Sequence, residues 1–519
     1  MTEIAVPPRV KQDADYIFHE LTRSICPTCR RVLDAQVLLR EGKVYLRKRC
    51  PDHGDFEALV YGDADAYIRN SGYNKPGTIP LAFGHQVERG CPHDCGLCPD
   101  HQQHACLGII EVNSACNMDC PLCFANAGPG FNLTLPEVEG ILEELVRTEG
   151  RPEVVQFSGG EPSIHPQIVE MLRAARKRDI RHVMLNTNGK RIARDDRFVA
   201  ELAELKISVY FQFDGFEEHT YEVIRGEPHI LSEKLLALDR LAEAGVGVVL
   251  VPAVERGVND HEVGTIVRFG LDHPAVFGIN FQPAFHAGRH DEHDPLLRMT
   301  IPDVLRGIED QSEGLFKVSD FVPVPCCFPT CNSVTYAFVD GDRVTPLTRL
   351  LNVDDYLDYL TNRALPELDL EIKRALEGLW SSSAVPGGEK AAAEFALSCE
   401  ACGLAGLDLG QVGKKMFMVM LQDFMDPWTF NQKNLMKCCK EILLPDGHQI
   451  PFCAYNSVGY REQARAQLTA RQRGRHRAKR ERREFVPEPI TFEFPTPTAS
   501  GRSLKSQLPL AGSGRQVRS

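Results

Sequence analysis

Apolar positions along this chain follow two rhythms. In VVQFSGGEP (154–162) a short apolar run ends in a glycine-rich turn, the pattern of a buried strand, and HVMLNTNG (182–189), ISVYFQFDG (207–215), GVGVVLVPAV (245–254) and GINFQPAF (278–285) repeat it. Between them, PQIVEMLRAARKR (166–178) and SEKLLALDRLAEAG (232–245) place apolar residues at helical spacing. Strand–helix alternation predicts an α/β fold, a parallel sheet with right-handed crossovers whose active site lies at the C-terminal ends of the strands. Nearer the N-terminus, VLDAQVLL (32–39) and KVYLRKR (43–49) flank Glu41-Gly42 and predict a hairpin.

Composition sets the class. A chain of 519 residues with 43% hydrophobic and 25% charged residues is long enough for about three folded domains, and neither collagen-like nor largely disordered. The longest apolar stretches fall far short of the roughly 20 residues that span a bilayer, and no basic-then-apolar leader opens the chain, so a cytoplasmic location is expected. From Arg461 onward 14 Lys+Arg face 5 Asp+Glu, which leaves the first 460 residues at −21 out of a net −12. An acidic body of that size argues against nucleic-acid binding.

In a reducing compartment, 18 cysteines point to metal rather than disulfides, and 10 of them precede residue 124. Cys26-Pro-Thr-Cys29 and Cys50-Pro-Asp-His53, carried on the hairpin, offer four ligands for a tetrahedral zinc or mononuclear iron site with a structural role. Cys91, Cys95 and Cys98 share the C-x3-C-x2-C spacing with Cys116, Cys120 and Cys123. Each trio can hold three irons of a [4Fe–4S] cluster. Cys106 is within reach as a fourth ligand for the first cluster, whereas the second has none nearby and leaves one iron open for a non-protein ligand.

Cys116, Cys120 and Cys123, followed about 35 residues on by Ser158-Gly-Gly-Glu161-Pro162, resemble a radical S-adenosylmethionine (SAM) enzyme. The resemblance implies a partial (β/α)6 barrel in which SAM chelates the open iron and is cleaved to a 5′-deoxyadenosyl radical that abstracts hydrogen. It also implies a low-potential electron donor such as ferredoxin or flavodoxin. Carried over, Gly159, Gly160 and Glu161 match the motif that holds the SAM amino group, and their bare backbone edge suits that contact. Asn186, Asn188, Ser208, Gln212 and Asp214 match positions of ribose, carboxylate or substrate contacts.

Beyond the core, the motif order over residues 20–460 is similar to the group of archaeal tetraether lipid synthases and proteins named as pterin methyltransferases. That likeness implies C–C bond formation on lipid alkyl chains, with methylation of a pterin or similar small ring as the alternative. An iron–sulfur electron-transfer protein is the non-enzymatic rival, but it does not explain a cysteine trio without a fourth ligand beside a Gly-Gly-Glu-Pro turn.

Among the eight remaining cysteines, Cys326 or Cys327, Cys331, one of Cys438 and Cys439, and Cys453 are candidates for a third cluster, with Cys399 and Cys402 as a competing pair. Met416, Met418 and Met420 in KMFMVML (415–421) read as a buried strand rather than the wall of an alkyl tunnel. Eight basic residues between Arg471 and Arg483 read as a solvated tail, with peripheral contact to anionic lipid as the functional alternative. The resulting division is a zinc-ribbon-like or rubredoxin-like metal module (1–75), a cluster-bearing bridge (76–110), the radical SAM core (111–290), a cysteine-rich auxiliary-cluster domain (291–460) and a basic disordered tail (461–519).

Overall fold

The computed structural model describes residues 13–290, 293–324, 327–349 and 415–494. Cys326, Cys399 and Cys402 lie outside them.

The N-terminal module is an antiparallel meander of β1 (Ile17–Ile25), β2 (Val32–Arg40), β3 (Lys43–Cys50) and β4 (Gly54–Tyr61). Arg40 pairs with Lys43 across the expected turn, where Glu41 and Gly42 both take positive φ, 51° and 71°. That two-residue geometry matches the twist of the flanking strands. A helix capped by the Asp63 side chain, Ala64–Ser71, closes the module.

The expected core is present as six parallel strands: β5 (Leu107–Asn113), β6 (Val154–Gly159), β7 (His182–Thr187), β8 (Ser208–Gln212), β9 (Val248–Val251) and, past the short β10 (Ala253–Val254), β11 (Val276–Pro283). The sequence patterns above miss β5, a fully buried run squeezed between two cysteine clusters. It begins at Leu107, earlier than the boundary expected at 111.

The described C-terminal strands continue the sheet of the core. β12 (Asn332–Asp340) and β13 (Arg343–Pro346) form a hairpin joined to β14 (Lys415–Gln422), and β14 adds in parallel to β11. At the opposite edge β15 (Lys440–Leu443) adds in parallel to β5 and pairs with β16 (Gln449–Pro451). An open six-stranded sheet exposes unpaired backbone at both edges, and these strands cover it. Met416 and Met418 are buried on β14, as expected of a core strand, whereas Met420, also buried, lines the cavity described below.

The basic segment also departs from expectation. Tyr460–Glu481 is a 22-residue helix rather than a solvated tail. Its first turn is anchored in the core by Arg461, which pairs with Glu111 at 2.7 Å and bonds Asn456 at 2.8 Å. Phe492 and Phe494 then return to pack on Tyr460. The anchoring residues lie outside the basic run, so composition does not reveal them. No helix among the described residues is long and apolar enough to cross a membrane. Replacing Arg461 with Leu strands a buried carboxylate, and anaerobic denaturant unfolding should show a loss of about 3–5 kcal/mol; an unchanged unfolding midpoint would contradict this anchoring.

Candidate functional site

Backbone contacts place the second cysteine loop. Gly160 and Glu161 donate their N–H groups to the carbonyls of Asn113 and Ala115, both at 2.9 Å, on the stretch that runs into Cys116. A side chain on Gly159 or Gly160 would collide with those same carbonyls, and Gly159 also takes φ 137°. The glycine pair is thus required by chain packing as well as by any ligand. The Glu161 carboxylate is spent inside the fold, accepting from Ser163 N–H, Thr187 Oγ1 and Asn188 N–H at 2.7–2.9 Å.

Cys116, Cys120 and Cys123 line a cavity of about 180 Å³ at the C-terminal ends of the strands, together with Gly159, Gly160, Glu161, Asn186, Asn188 and Gln212. Asn188 reaches the cysteine loop through Asn117 at 2.7 Å, and Asn186 bonds Ser158 at 3.2 Å. Buried Lys234 donates to the carbonyls of Asn188 and Gln212, fixing two strand ends, and burial lowers its ammonium to about 8. Burial, with Glu161 and the neighbouring thiols, pushes Cys116 up to about 12. Burial raises Cys120 as well, so these two thiols are costly to ionise without added positive charge, and iron supplies it.

Two expected residues are not at the cavity. Ser208 opens β8 at its N-terminal end, whereas the cavity is met by Gln212 at the other end. Asp214 is fully buried and holds Arg225 through two bonds of 2.6 and 2.7 Å. Arg225 is the residue that reaches the cavity, next to Cys120.

The barrel interior carries a set of polar residues that the sequence reading passed over. Gln156, Tyr210, Asn280, Gln282 and Gln422 line the cavity, facing an aromatic wall of Phe124, Phe285, Phe424 and Phe452. Asn280 and Gln282 both donate to the Tyr210 hydroxyl. The Asn280 and Gln422 carbonyl oxygens are buried without a hydrogen-bond partner among the described residues. On β11 the sequence signal is a pair of amides two positions apart, Asn280 and Gln282, whereas Gln156 on β6 and Gln422 on β14 are single amides that give none.

In the N-terminal module the ligand atoms of Cys26, Cys29, Cys50 and His53 lie within 4.8 Å of one another. Cys29 and Cys50 are 3.9 Å apart, Cys26 and His53 3.7 Å. A tetrahedral zinc with Zn–S bonds of about 2.3 Å sets its sulfurs about 3.8 Å apart, so these residues fit one zinc ion.

Cys91, Cys95 and Cys98 line a small cleft with His101. Cys106 is not among its lining residues; its Sγ lies 3.5 Å from Gln103 Nε2 and 3.4 Å from His104 Nε2. Of the C-terminal cysteines, Cys327 and Cys439 approach to 2.8 Å. Cys331 and Cys438 are pushed up by burial and by neighbouring thiols, and burial carries Cys453 to about 12. Burial would lower Lys440, yet Cys439, Cys327, Cys438 and Cys331 around it hold the ammonium above its ordinary range.

This arrangement, a cysteine loop and a Gly-Gly-Glu-Pro turn at the C-terminal edge of a parallel sheet, defines a radical SAM enzyme. Residues 110–270 match the radical SAM superfamily, and residues 18–62 match the HMPTM N-terminal zinc ribbon domain. Membership brings a [4Fe–4S] cluster and SAM as cofactors. More narrowly, the chain belongs to the family of the 7,8-dihydro-6-hydroxymethylpterin dimethyltransferase of Methanocaldococcus jannaschii, to which it is 34% identical over 482 residues, 85% of this chain and 94% of that protein. A probable GTP 3′,8-cyclase of Pyrococcus abyssi is 28% identical over 163 residues, 31% of this chain and 51% of that protein. Streptococcus suis SuiB bound to S-adenosylmethionine overlaps 40% of this chain and 47% of its own, with 17% identity and a TM-score of 0.35.

Substituting Cys29 with Ser should remove about one zinc per chain and loosen the ribbon, because metal binding there is folding free energy. Metal analysis together with proteolysis of the N-terminal module checks both effects, and undiminished zinc would refute the ligand set.

Proposed function

We propose that the chain is a radical SAM methyltransferase acting on a pterin or a similar small polar ring, and that lipid alkyl chains are not its substrate. The observation that carries this reading is the polar set inside the barrel. Asn280 and Gln422 hold buried carbonyl oxygens without partners, beside Gln156, Gln282 and the Tyr210 hydroxyl. An alkyl chain would leave these groups unpaired at a cost of about 1–3 kcal/mol each, whereas a ring edge bearing N–H and C=O groups satisfies them. The aromatic wall gives a flat ring a face to stack on. The M. jannaschii relative, named for a dihydropterin, supports the same substrate class.

In this reading Cys116, Cys120 and Cys123 hold the catalytic cluster and leave one iron for SAM, with Gly159, Gly160, Asn186, Asn188 and Gln212 as its surroundings. The bound cluster and SAM supply a 5′-deoxyadenosyl radical. The protein's own residues then orient and enclose. Asn280 and Gln282 both donate into Tyr210, so the phenol proton is left to donate toward the ring. Burial raises Tyr210 to about 12, which keeps that proton in place at neutral pH. Arg225, fixed by Asp214, sets a positive charge beside Cys120.

Cys91, Cys95 and Cys98 serve a second cluster in this proposal, and Cys331 and Cys453 with Cys327, Cys438 or Cys439 serve a third. Lys440 stands between the C-terminal thiols and the main cavity and offsets their charge. A small-molecule substrate and a low-potential reductant are the partners.

The test is anaerobic incubation of the reconstituted chain with 7,8-dihydro-6-hydroxymethylpterin, a strong reductant, SAM as the radical source, and a one-carbon donor, either further SAM or a methylene-folate. Methylated pterin and 5′-deoxyadenosine are expected. Cys116→Ala should abolish both, while Gln282→Leu should keep SAM cleavage and raise the KM for pterin about tenfold, the equivalent of one lost hydrogen bond of about 1.4 kcal/mol. Efficient SAM cleavage with alkyl-chain products and no pterin methylation would overturn the proposal.

A further inference from the structure

β11 ends at Pro283, and the chain beyond it carries imidazoles at His286, His290 and His293. The three rings converge, with one ring nitrogen from each lying within 4.8 Å of the other two. His286 and His293 stack with centroids 3.7 Å apart and planes 13° from parallel. His290 stands edge-on to both, at 4.4 and 5.5 Å.

Carboxylates flank the rings. Glu255 Oε2 lies 3.1 Å from His290 Nε2, and Asp426 Oδ2 lies 3.4 Å from His286 Nδ1. Asp426 already accepts from Arg298 and from the backbone N–H groups of His286, Trp428 and Thr429, so it orients an imidazole rather than competing as a ligand. A carboxylate behind a histidine is the usual arrangement around protein-bound metal. Both ring nitrogens of His293 are buried without a hydrogen-bond partner among the described residues. Buried ring nitrogens are normally paired, and a cation at the centre of the cluster would use the lone pairs left over.

None of the three imidazoles lines the cavity of the radical site or belongs to a cysteine group. We propose that His286, His290 and His293 form a further metal site, beside the ribbon and the cysteine groups, that takes a single zinc-class divalent cation, leaving one coordination position for water or an anionic ligand. Its position suggests what it does. Arg289, inside the same loop, exchanges backbone hydrogen bonds with Cys123 in both directions, at 2.9 and 3.0 Å. His293 meets Trp428 edge-on at 5.9 Å, and Trp428 meets Phe56 of the N-terminal module at 5.4 Å. A cation here clamps the loop bracing Cys123 to the surface on which the zinc ribbon docks.

The test uses the full, cluster-loaded chain, saturated with Zn²⁺ and freed of loosely held metal. Two zinc ions per chain are expected, one in the ribbon and one here. His286→Ala with His290→Gln should lose one of them while Cys29→Ser loses the other. The zinc-edge X-ray absorption difference between parent and histidine variant should show nitrogen and oxygen ligands at about 2.0–2.1 Å, without sulfur at about 2.3 Å. If the histidine variant folds poorly, the parent decides alone: saturation at one zinc per chain, or a spectrum accounted for by the ribbon ligands only, overturns the proposal. Unchanged zinc content in a folded histidine variant overturns it equally.

Discussion

The close approach of two backbones sets the geometry of this site. Where Gly159 and Gly160 pass the end of β5, no side chain separates them from the carbonyls of Asn113 and Ala115, and the hydrogen bonds formed there lock the entry to the cysteine loop. Burial works against ionisation of Cys116 and Cys120 on that loop. The loop is held by backbone contacts rather than by its thiols, and Glu161, Asn188 and Lys234 extend the same constraint to the neighbouring strand ends.

A second constraint comes from the sheet. Six parallel strands leave two open edges, and the chain returns after the core to cover both, with β14 beside β11 and β15 beside β5. The covering strands also bring chemistry: Gln422 and Lys440 reach the cavity from opposite edges, and Cys331 and Cys439 stand beside them. Among the described residues, the wall of the cavity and the C-terminal thiols are therefore parts of one sheet.

Local chemistry was readable in the sequence, and long-range closure was not. The alternating strands and helices, the Glu41-Gly42 hairpin and the four ribbon ligands all depend on neighbours within a few dozen residues. So does the relation between the cysteine trio and the Gly-Gly-Glu-Pro turn. Ser208 and Asp214 were misplaced because strand polarity decides which end of β8 meets the cavity, and because Asp214 is claimed by Arg225. The basic helix was misread from composition, since the residue that anchors it, Arg461, finds its partner Glu111 some 350 positions away. Asn280 and Gln282 stand two apart on β11, but only the folded sheet shows that β6, β8, β11 and β14 turn their polar residues toward one space.

The central claim is that the Cys116, Cys120 and Cys123 cluster keeps one iron free for SAM at the mouth of the amide-lined cavity. Electron–nuclear double resonance on the reduced enzyme, with SAM labelled by ¹⁵N in its amino group and ¹⁷O in its carboxylate, tests it directly. The account predicts strong hyperfine coupling to both labels, persisting when Cys91 or Cys453 is replaced and disappearing when Cys116 is replaced. No coupling in the intact enzyme, or coupling that survives loss of Cys116, would contradict it.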